Sequence, residues 1–436
     1  MTIRMFSGLA SVLLLAGAVG CQPDADNPTG PATPPSQSVT AISGLIFRQV
    51  SAGGRHTCGV TTHNQAYCWG ANGRGQLGDG TTTSRLRPRA VVGGLRFRQV
   101  SAGADDTCGV TTDDKAYCWG WDESSEFGTG SASALGLMPR PVPVTGGHQF
   151  RQVAMPSANF NRDGEHTCAL TTDNRAYCWG DNFFGALGIG PFSGGGVVNK
   201  PTAVVGGHRY RDVSPGVNHT CGVTFEDRVL CWGFNFSGEL GNGGHDLLEH
   251  NTPAPVQIVG LLFRQVSAGG SFYQDARDPF LTNRGYTCAL TTEAHAYCWG
   301  DNKFGQLGDG TGTDRSVPTA VWGNRRFRQI SAGPKHVCAV KYSGAAYCWG
   351  RNPFGDLGDG TSELQRVRPV PVQGGLLFTA ISAGDLHSCA VTDSGSLYCW
   401  GNNEKGQLGD GTTTNRPAPT LVSGSGQQEA VASSHE

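Results

Sequence analysis

HTCGVTTHNQAYCWG, residues 56–70, holds two cysteines, Cys58 and Cys68, ten positions apart. The stretch returns at 106–120 as DTCGVTTDDKAYCWG, with Cys108 and Cys118 at the same interval. Five more pairs repeat it: Cys168 and Cys178, Cys221 and Cys231, Cys288 and Cys298, Cys338 and Cys348, Cys389 and Cys399. Of the 15 cysteines only Cys21, near the N-terminus, has no such partner. One interval recurring through the chain is an internal repeat, and a repeat decides the architecture before any single residue does.

The unit extends outward from the cysteines. Ahead of each pair stands FRQVSAG (47–53) or a close version, at 97, 150, 210, 263, 327 and 378. Behind each Cys-Trp-Gly comes a glycine motif, GQLGDG at 75–80 in the first copy, and then a proline-led apolar run such as RPRAVV at 87–92. The tryptophans of the triplet, Trp69, Trp119, Trp179, Trp232, Trp299, Trp349 and Trp400, are spaced by 50, 60, 53, 67, 50 and 51 residues. Seven units therefore fill residues 42–422.

Within a unit the pattern is that of strands. FRQV places Phe47 and Val50 around polar Arg48 and Gln49, and TCGVTT and AYCWG are short, β-branched or aromatic, and split by a polar turn. No 3.6-residue apolar period persists, and 66 glycines and 23 prolines supply turns throughout. Four short strands repeated seven times predict an all-β, seven-bladed β-propeller with four antiparallel strands per blade, a closed ring that protects sheet edges.

HTCGVTTHNQAYCWGANGRGQLGDG (56–80) resembles the repeat of the regulator of chromosome condensation family, with its H-T-x-A-L-T strand, Y-x-W-G strand and G-Q-L-G-x-G turn. The resemblance covers all seven units and implies seven blades. Kelch-type propellers have units of similar length but not this glycine motif. The departure is cysteine at two positions where nuclear and cytosolic members carry other small residues. Nuclear members are nucleotide-exchange factors that bind chromatin; exported bacterial members include a β-lactamase inhibitor that works through a loop face.

In such a blade, TCGVTT and AYCWG are neighbouring antiparallel strands, so Cys58 and Cys68 lie opposite each other. Opposed Cβ atoms at non-hydrogen-bonded positions come within reach of a disulfide. Seven cross-strand bridges are the expectation; reduced structural thiols and a metal site are the alternatives. The metal reading lacks the close C-x-x-C spacing and four local ligands it needs.

The N-terminus bears on this choice. MTIRMFSGLASVLLLAGAVGC has a basic Arg4, an apolar core and small residues before Cys21, the pattern of a signal peptide over 1–20. Cys21 after Ala-Val-Gly resembles a lipoprotein acylation site, with Ala18 where leucine is usual. Ordinary cleavage after Gly20 or Ala18 is the alternative. A Pro-rich tether follows, so 21–41 is expected to be anchor and disordered linker, and 423–436 a flexible tail. The expected location is outside the cytosol, anchored to a membrane through the lipid alone, and to the outer one in a two-membrane bacterium; otherwise secreted or periplasmic. Such a compartment permits disulfides.

Net charge is −2, with no long basic run, so nucleic acid is not an expected partner. No cofactor, metal or catalytic residue is predicted, and the chain is expected to be monomeric. His56, His166, His219, His336 and His387 share one repeat position, occupied by Asp106 and Tyr286 in the other two copies. A repeated structural hydrogen bond is expected of them, a metal ring near the axis being the alternative. GDGT at 78–81 and its copies lacks the alternating acidic ligands of a calcium loop and is taken as a glycine turn.

Variation between copies is concentrated in the connections between first and second and between third and fourth strands, which leave a blade on one face. The third unit carries a seven-residue insertion and the fifth a fourteen-residue one. Aromatics gather there, and the candidate binding face comprises Phe272, Tyr273, Phe280, Phe184, Phe304, Phe354 and Trp121. Phe184, Phe304 and Phe354 hold a single repeat position, where filling space between blades is the equal alternative. The expected function is a non-enzymatic envelope lipoprotein whose loop face binds a protein or glycan. The alternatives are an enzyme acting on an extracellular polymer at the central channel, and a structural spacer.

Overall fold

The computed structural model describes residues 44–131, 136–157, 165–191, 196–275 and 278–426, with 272–275 and 278–283 described by their backbone alone. The signal peptide, Cys21, the tether and 427–436 lie outside the described residues. So do the side chains of Phe272, Tyr273 and Phe280.

Seven four-stranded antiparallel sheets form, each from one contiguous stretch of chain and each in simple sequential order. Blade one runs Phe47–Ala52, His56–Thr61, Ala66–Gly70 and Arg85–Ala90. Its second and third strands are wholly or mostly buried, and the fourth is the solvent-facing edge. Phe47 pairs with Thr61 and Gln49 with Val60, so Arg48 is the extra residue of a bulge that recurs along the ring.

The fifth blade departs from the predicted plan. Its fourteen extra residues are not a loop but a prolongation of the first two strands, Phe263–Asp275 and Asp278–Thr291. Tyr273 still faces Thr282 across this ribbon. The ladder continues past the blade, from Gly269 opposite Tyr286 to Asp275 opposite Asp278.

The core lies between blades rather than within them. Cys58, Val60, Ala66, Cys68 and Leu77 of blade one pack with Phe97, Val100 and Trp119 of blade two. The indole Nε1 of Trp119 donates to the carbonyl of Gln76, 3.0 Å away in the glycine motif of the preceding blade. That contact dictates the glycine: Gly78 has φ +65°, and a Cβ there would sit 2.7 Å from the same nitrogen. The seven tryptophans of the Cys-Trp-Gly triplets are fully buried.

Ring closure repeats the pattern. Trp69 donates to Gln407 O at 3.0 Å, so blade one docks on blade seven as each blade docks on its predecessor. Leu45 N donates to Gly424 O and Gly426 N to Leu45 O, a short parallel bridge that ties the two ends of the ring. Among the described residues, no strand is exchanged between blades one and seven.

Candidate functional site

Each repeated residue has a position, and most serve the joints between blades. The histidines are buried with Nε2 facing a hydroxyl of the next blade: His56 to Thr107 Oγ1 at 2.8 Å, His166 to Thr220 at 2.7 Å, His387 to Thr57 at 2.8 Å. Thr107 in turn donates to Gln76 O, so its oxygen accepts and the histidine carries its proton on Nε2. Burial holds His56, His219, His336 and His387 at about 3, well below the usual imidazole range, and keeps them neutral. A polymer-modifying enzyme would need histidines or carboxylates converging on the channel. His166 and His387 are instead bound between blades. In blade five, Tyr286 spans the same joint, its hydroxyl 2.6 Å from Gly333 O.

The channel wall is built from the first strands. The side chain of Gln49 copies a strand's pairing: Nε2 donates to Val100 O at 2.7 Å and Oε1 accepts from Val100 N at 3.0 Å. Gln99, Gln265 and Gln329 do the same on Val153, Ile330 and Ile381. Ser51 accepts from Ala102 N and Ser382 from Ala52 N. The funnel they line, about 240 Å³, is thus walled by side chains that hold blades together.

In GDGT, Asp79 Oδ1 accepts from Thr81 N at 3.0 Å and from Thr81 Oγ1 at 2.6 Å, while Oδ2 pairs with Arg85 at 2.8 Å. Burial works against the charge, but Thr81 and Arg85 hold this carboxyl below its ordinary value. Asp309, Asp359 and Asp410 repeat the pairing with Arg315, Arg366 and Arg416. These motifs pin the start of the outer strand in blades one, five, six and seven, through an ion pair that the glycine spacing alone did not reveal.

The cysteines of each pair are directly opposed in register and joined across the second and third strands of their blade. Cys58 is bonded to Cys68, with Cα atoms 4.1 Å apart, and Cys108 to Cys118 at 4.0 Å. Cys168 is bonded to Cys178 at 4.2 Å, and Cys221 to Cys231 at 4.1 Å. Cys288 is bonded to Cys298, Cys338 to Cys348, and Cys389 to Cys399, each at 4.1 Å. All of these cysteines are fully buried between blades, so they brace the fold and present nothing to a ligand. The expected cross-strand pairing and the observed one are the same in every blade.

On the rim, aromatics from successive blades touch. Phe183 and Phe184 lie 5.0 Å apart, Phe184 and Phe234 4.6 Å, and Phe234 and Phe236 6.2 Å in a parallel stack. Arg284, at the base of the long ribbon, stands 5.6 Å over Phe236. Its guanidinium also contacts Asp301 and Asp314. The strip therefore runs from blade three to blade five and ends at the ribbon. Phe183 is 64% exposed while Phe184 and Phe236 are half-buried. Elsewhere the repeat-position residues also bridge blades: Phe304 lies under Arg351 at 5.5 Å, and Arg74 covers Trp121 at 4.1 Å. Phe354 is half-buried at its own joint. Phe184 and Phe304 are thus half-buried in contacts with the next blade. Arg284 was missed because its partners come from blades four and five.

Three joints, those of Glu126, Glu239 and Asp356, carry a carboxyl where the joints of Gln76, Gln306 and Gln407 carry an amide. Glu239 occupies the position of Gln76, Gln306 and Gln407, and burial pushes its carboxyl up to about 8. A raised value contributes stability that is present below the unfolded carboxyl value near 4.5 and is lost as pH rises towards 8. Glu239→Gln is therefore expected to match the parent below pH ~4.5 and to exceed it by on the order of 3 kcal/mol near pH 7. Thermal melts of both proteins across this range check it; a constant difference at every pH would refute the assignment.

A family model described as regulator of chromosome condensation (RCC1) repeat matches residues 47–76, 97–126, 164–186, 210–239, 263–306, 327–356 and 378–407. A second of the same description matches 63–110, 226–273, 293–340, 343–391 and 394–434. Human E3 ubiquitin-protein ligase HERC2 is 31% identical over 294 residues, 66% of this chain and 6% of that protein. The ultraviolet-B receptor UVR8 of Arabidopsis thaliana is 29% identical over 385 residues, 88% of this chain and 59% of that one. The chain thus spans less than two thirds of either relative. Among solved structures, human WBSCR16 superposes with a TM-score of 0.69 at 19% identity, covering 82% of this chain and 94% of that one. Prp20p of Saccharomyces cerevisiae, described with its binding properties to Gsp1p and histones, superposes at 0.66 with 20% identity and 89% coverage of each chain.

Proposed function

The chain belongs to the regulator of chromosome condensation (RCC1) repeat family, and from that premise we propose that its propeller is a non-enzymatic scaffold that binds a protein on the rim of blades three to five, outside the cytosol. The observation that carries the proposal is the aromatic strip Phe183, Phe184, Phe234 and Phe236, capped by Arg284 and flanked by the prolonged ribbon of blade five. Aromatic rings with an adjacent arginine are the usual anchors of protein interfaces. The solved relative Prp20p, by its title, binds proteins. The side chains of channel and joints are occupied in holding blades together, which leaves the rim as the variable surface.

Location is part of the proposal. The signal-like segment at 1–20 and Cys21 support an exported lipoprotein, and the buried cysteine pairs suit an oxidising compartment.

A photo-crosslinking residue at position 183 is expected to give one discrete protein adduct in the native host, and the same residue at 317, on an outer strand, none. Phe236→Ala should weaken the adduct about tenfold or more, as loss of an anchor does. Equal adducts at 183 and 317 would sink the rim assignment.

A further inference from the structure

The face opposite the rim has a chemistry of its own. It carries the turns between second and third strands and the connections from one blade to the next. In blades four to six these segments expose Phe225, Val259, Leu262, Trp322, Tyr342 and Leu377. Val259 is 99% exposed and Tyr342 63%. The other exposed large apolar residues lie on or beside outer strands, except Phe183 on the rim.

Basic side chains are interleaved with these apolar tips. Arg209, Arg211 and Arg228 flank Phe225, Arg325 and Arg326 follow Trp322, and Lys341 precedes Tyr342. Arg325 and Lys341 both approach the ring of Tyr347, and Arg368 stacks on Trp322 at 3.9 Å. The bulge arginines form a further series at the channel mouth. Arg98 and Arg211 pair with Asp114 and Asp227 of the adjoining turns. Blades five and six hold Ala294 and Gly344 at that turn position, and there Arg264 and Arg328 donate to backbone carbonyls of the next blade. The carboxylates Glu226, Asp227 and Glu293 are outnumbered, although the whole chain is slightly acidic.

We propose that this face of blades four to six docks on an anionic membrane surface, its apolar tips entering the headgroup layer and its arginines meeting lipid phosphates. Two features favour a membrane over a protein. The six apolar residues are spread over five separate connections, and tryptophan and tyrosine beside arginine and lysine are the composition of an interfacial surface. The chain also enters the ring on this face: Leu45, bridged to Ser425, precedes the strand that begins at Phe47.

The test uses the full chain carrying Cys21→Ser, which cannot be acylated there. It is expected to float with vesicles of phosphatidylcholine and phosphatidylglycerol, to ignore vesicles of phosphatidylcholine alone, and to be released by salt. Brominated lipid in the anionic vesicles should quench Trp322, since the seven tryptophans of the joints are buried and the half-buried Trp121 lies on the opposite rim under Arg74. Arg325→Glu with Arg326→Glu should lower vesicle affinity about thirtyfold or more with an unchanged near-ultraviolet dichroism spectrum, whereas Phe183→Ala should not alter it. Equal vesicle affinity of the double variant would overturn the proposal. So would saturable binding of pyrophosphate, lost in that variant, without any vesicle binding, which would assign the arginines to a soluble anion. Acylation of the native protein with an inert Cys21→Ser chain removes the docking and leaves the anchor; docking by a protein never acylated does the reverse.

Discussion

Unfolding the protein in denaturant with a reductant is expected to add two hydrogen masses for each of seven bridges and to leave a chain that does not regain the propeller until it is reoxidised. Each bridge closes a loop of ten positions across the middle hairpin of its blade. In the chain-entropy account such a loop contributes about 2–3 kcal/mol, and seven together on the order of 15–20 kcal/mol. That sum exceeds the net stability of about 5–15 kcal/mol typical of a domain. Reductant applied to the folded protein should act slowly, because all fourteen sulfurs are inaccessible to solvent. An unchanged mass after reduction in denaturant would falsify the pairing. Full refolding under reducing conditions would show instead that the joints alone suffice.

Trp232→Ala should lower stability by about 3–5 kcal/mol, the range for a large aromatic removed from a core. The indole is fully buried between blades three and four, tilted against Tyr210, and donates to Ala186 O at 2.8 Å. Thr220 Oγ1 reaches the same carbonyl at 2.8 Å, so that acceptor stays satisfied when the indole is lost. Trp232→Phe, which keeps most of the ring and loses the donor, should therefore cost only about 1 kcal/mol. Near-ultraviolet dichroism during denaturant titration separates the two variants. In a ring whose blades contact only their neighbours, the alanine variant should loosen one joint first, visible as local hydrogen exchange in blades three and four. Equal losses for both variants would mean that the hydrogen bond, not the packed ring, dominates the joint.

The repeat was legible because its residues answer to local rules. Cys58 and Cys68 face each other wherever the two strands pair in register, and Gly78 must be glycine wherever the turn takes φ +65°. The same holds for the later copies, from Cys168 and Cys178 to Cys389 and Cys399, since each pair lies within one hairpin. The position of the histidines, two before each first cysteine, also announced a repeated role; its nature needed the neighbouring blade, since the partner hydroxyl of His56 belongs to Thr107. The candidate rim was half legible. Composition marked Phe184, Phe304 and Phe354, but only the assembled ring brings Phe184 against Phe234 and leaves Phe183 exposed. The basic and apolar tips of the opposite face gave no sequence signal, because each connection contributes one or two ordinary surface residues.

The sequence by itself determined the number of blades, the strands in each, the cysteine pairs and the glycine turns. These depend on period, alternation and turn chemistry, all of which act within some fifty residues of chain. Tertiary structure decided which residues meet across joints, how the ring closes through Leu45 and Ser425, and what each face displays. The physical reason is that a propeller buries its core between units: every joint, and every surface patch built across joints, is a product of two or three stretches about fifty or more residues apart, whose juxtaposition no local pattern encodes.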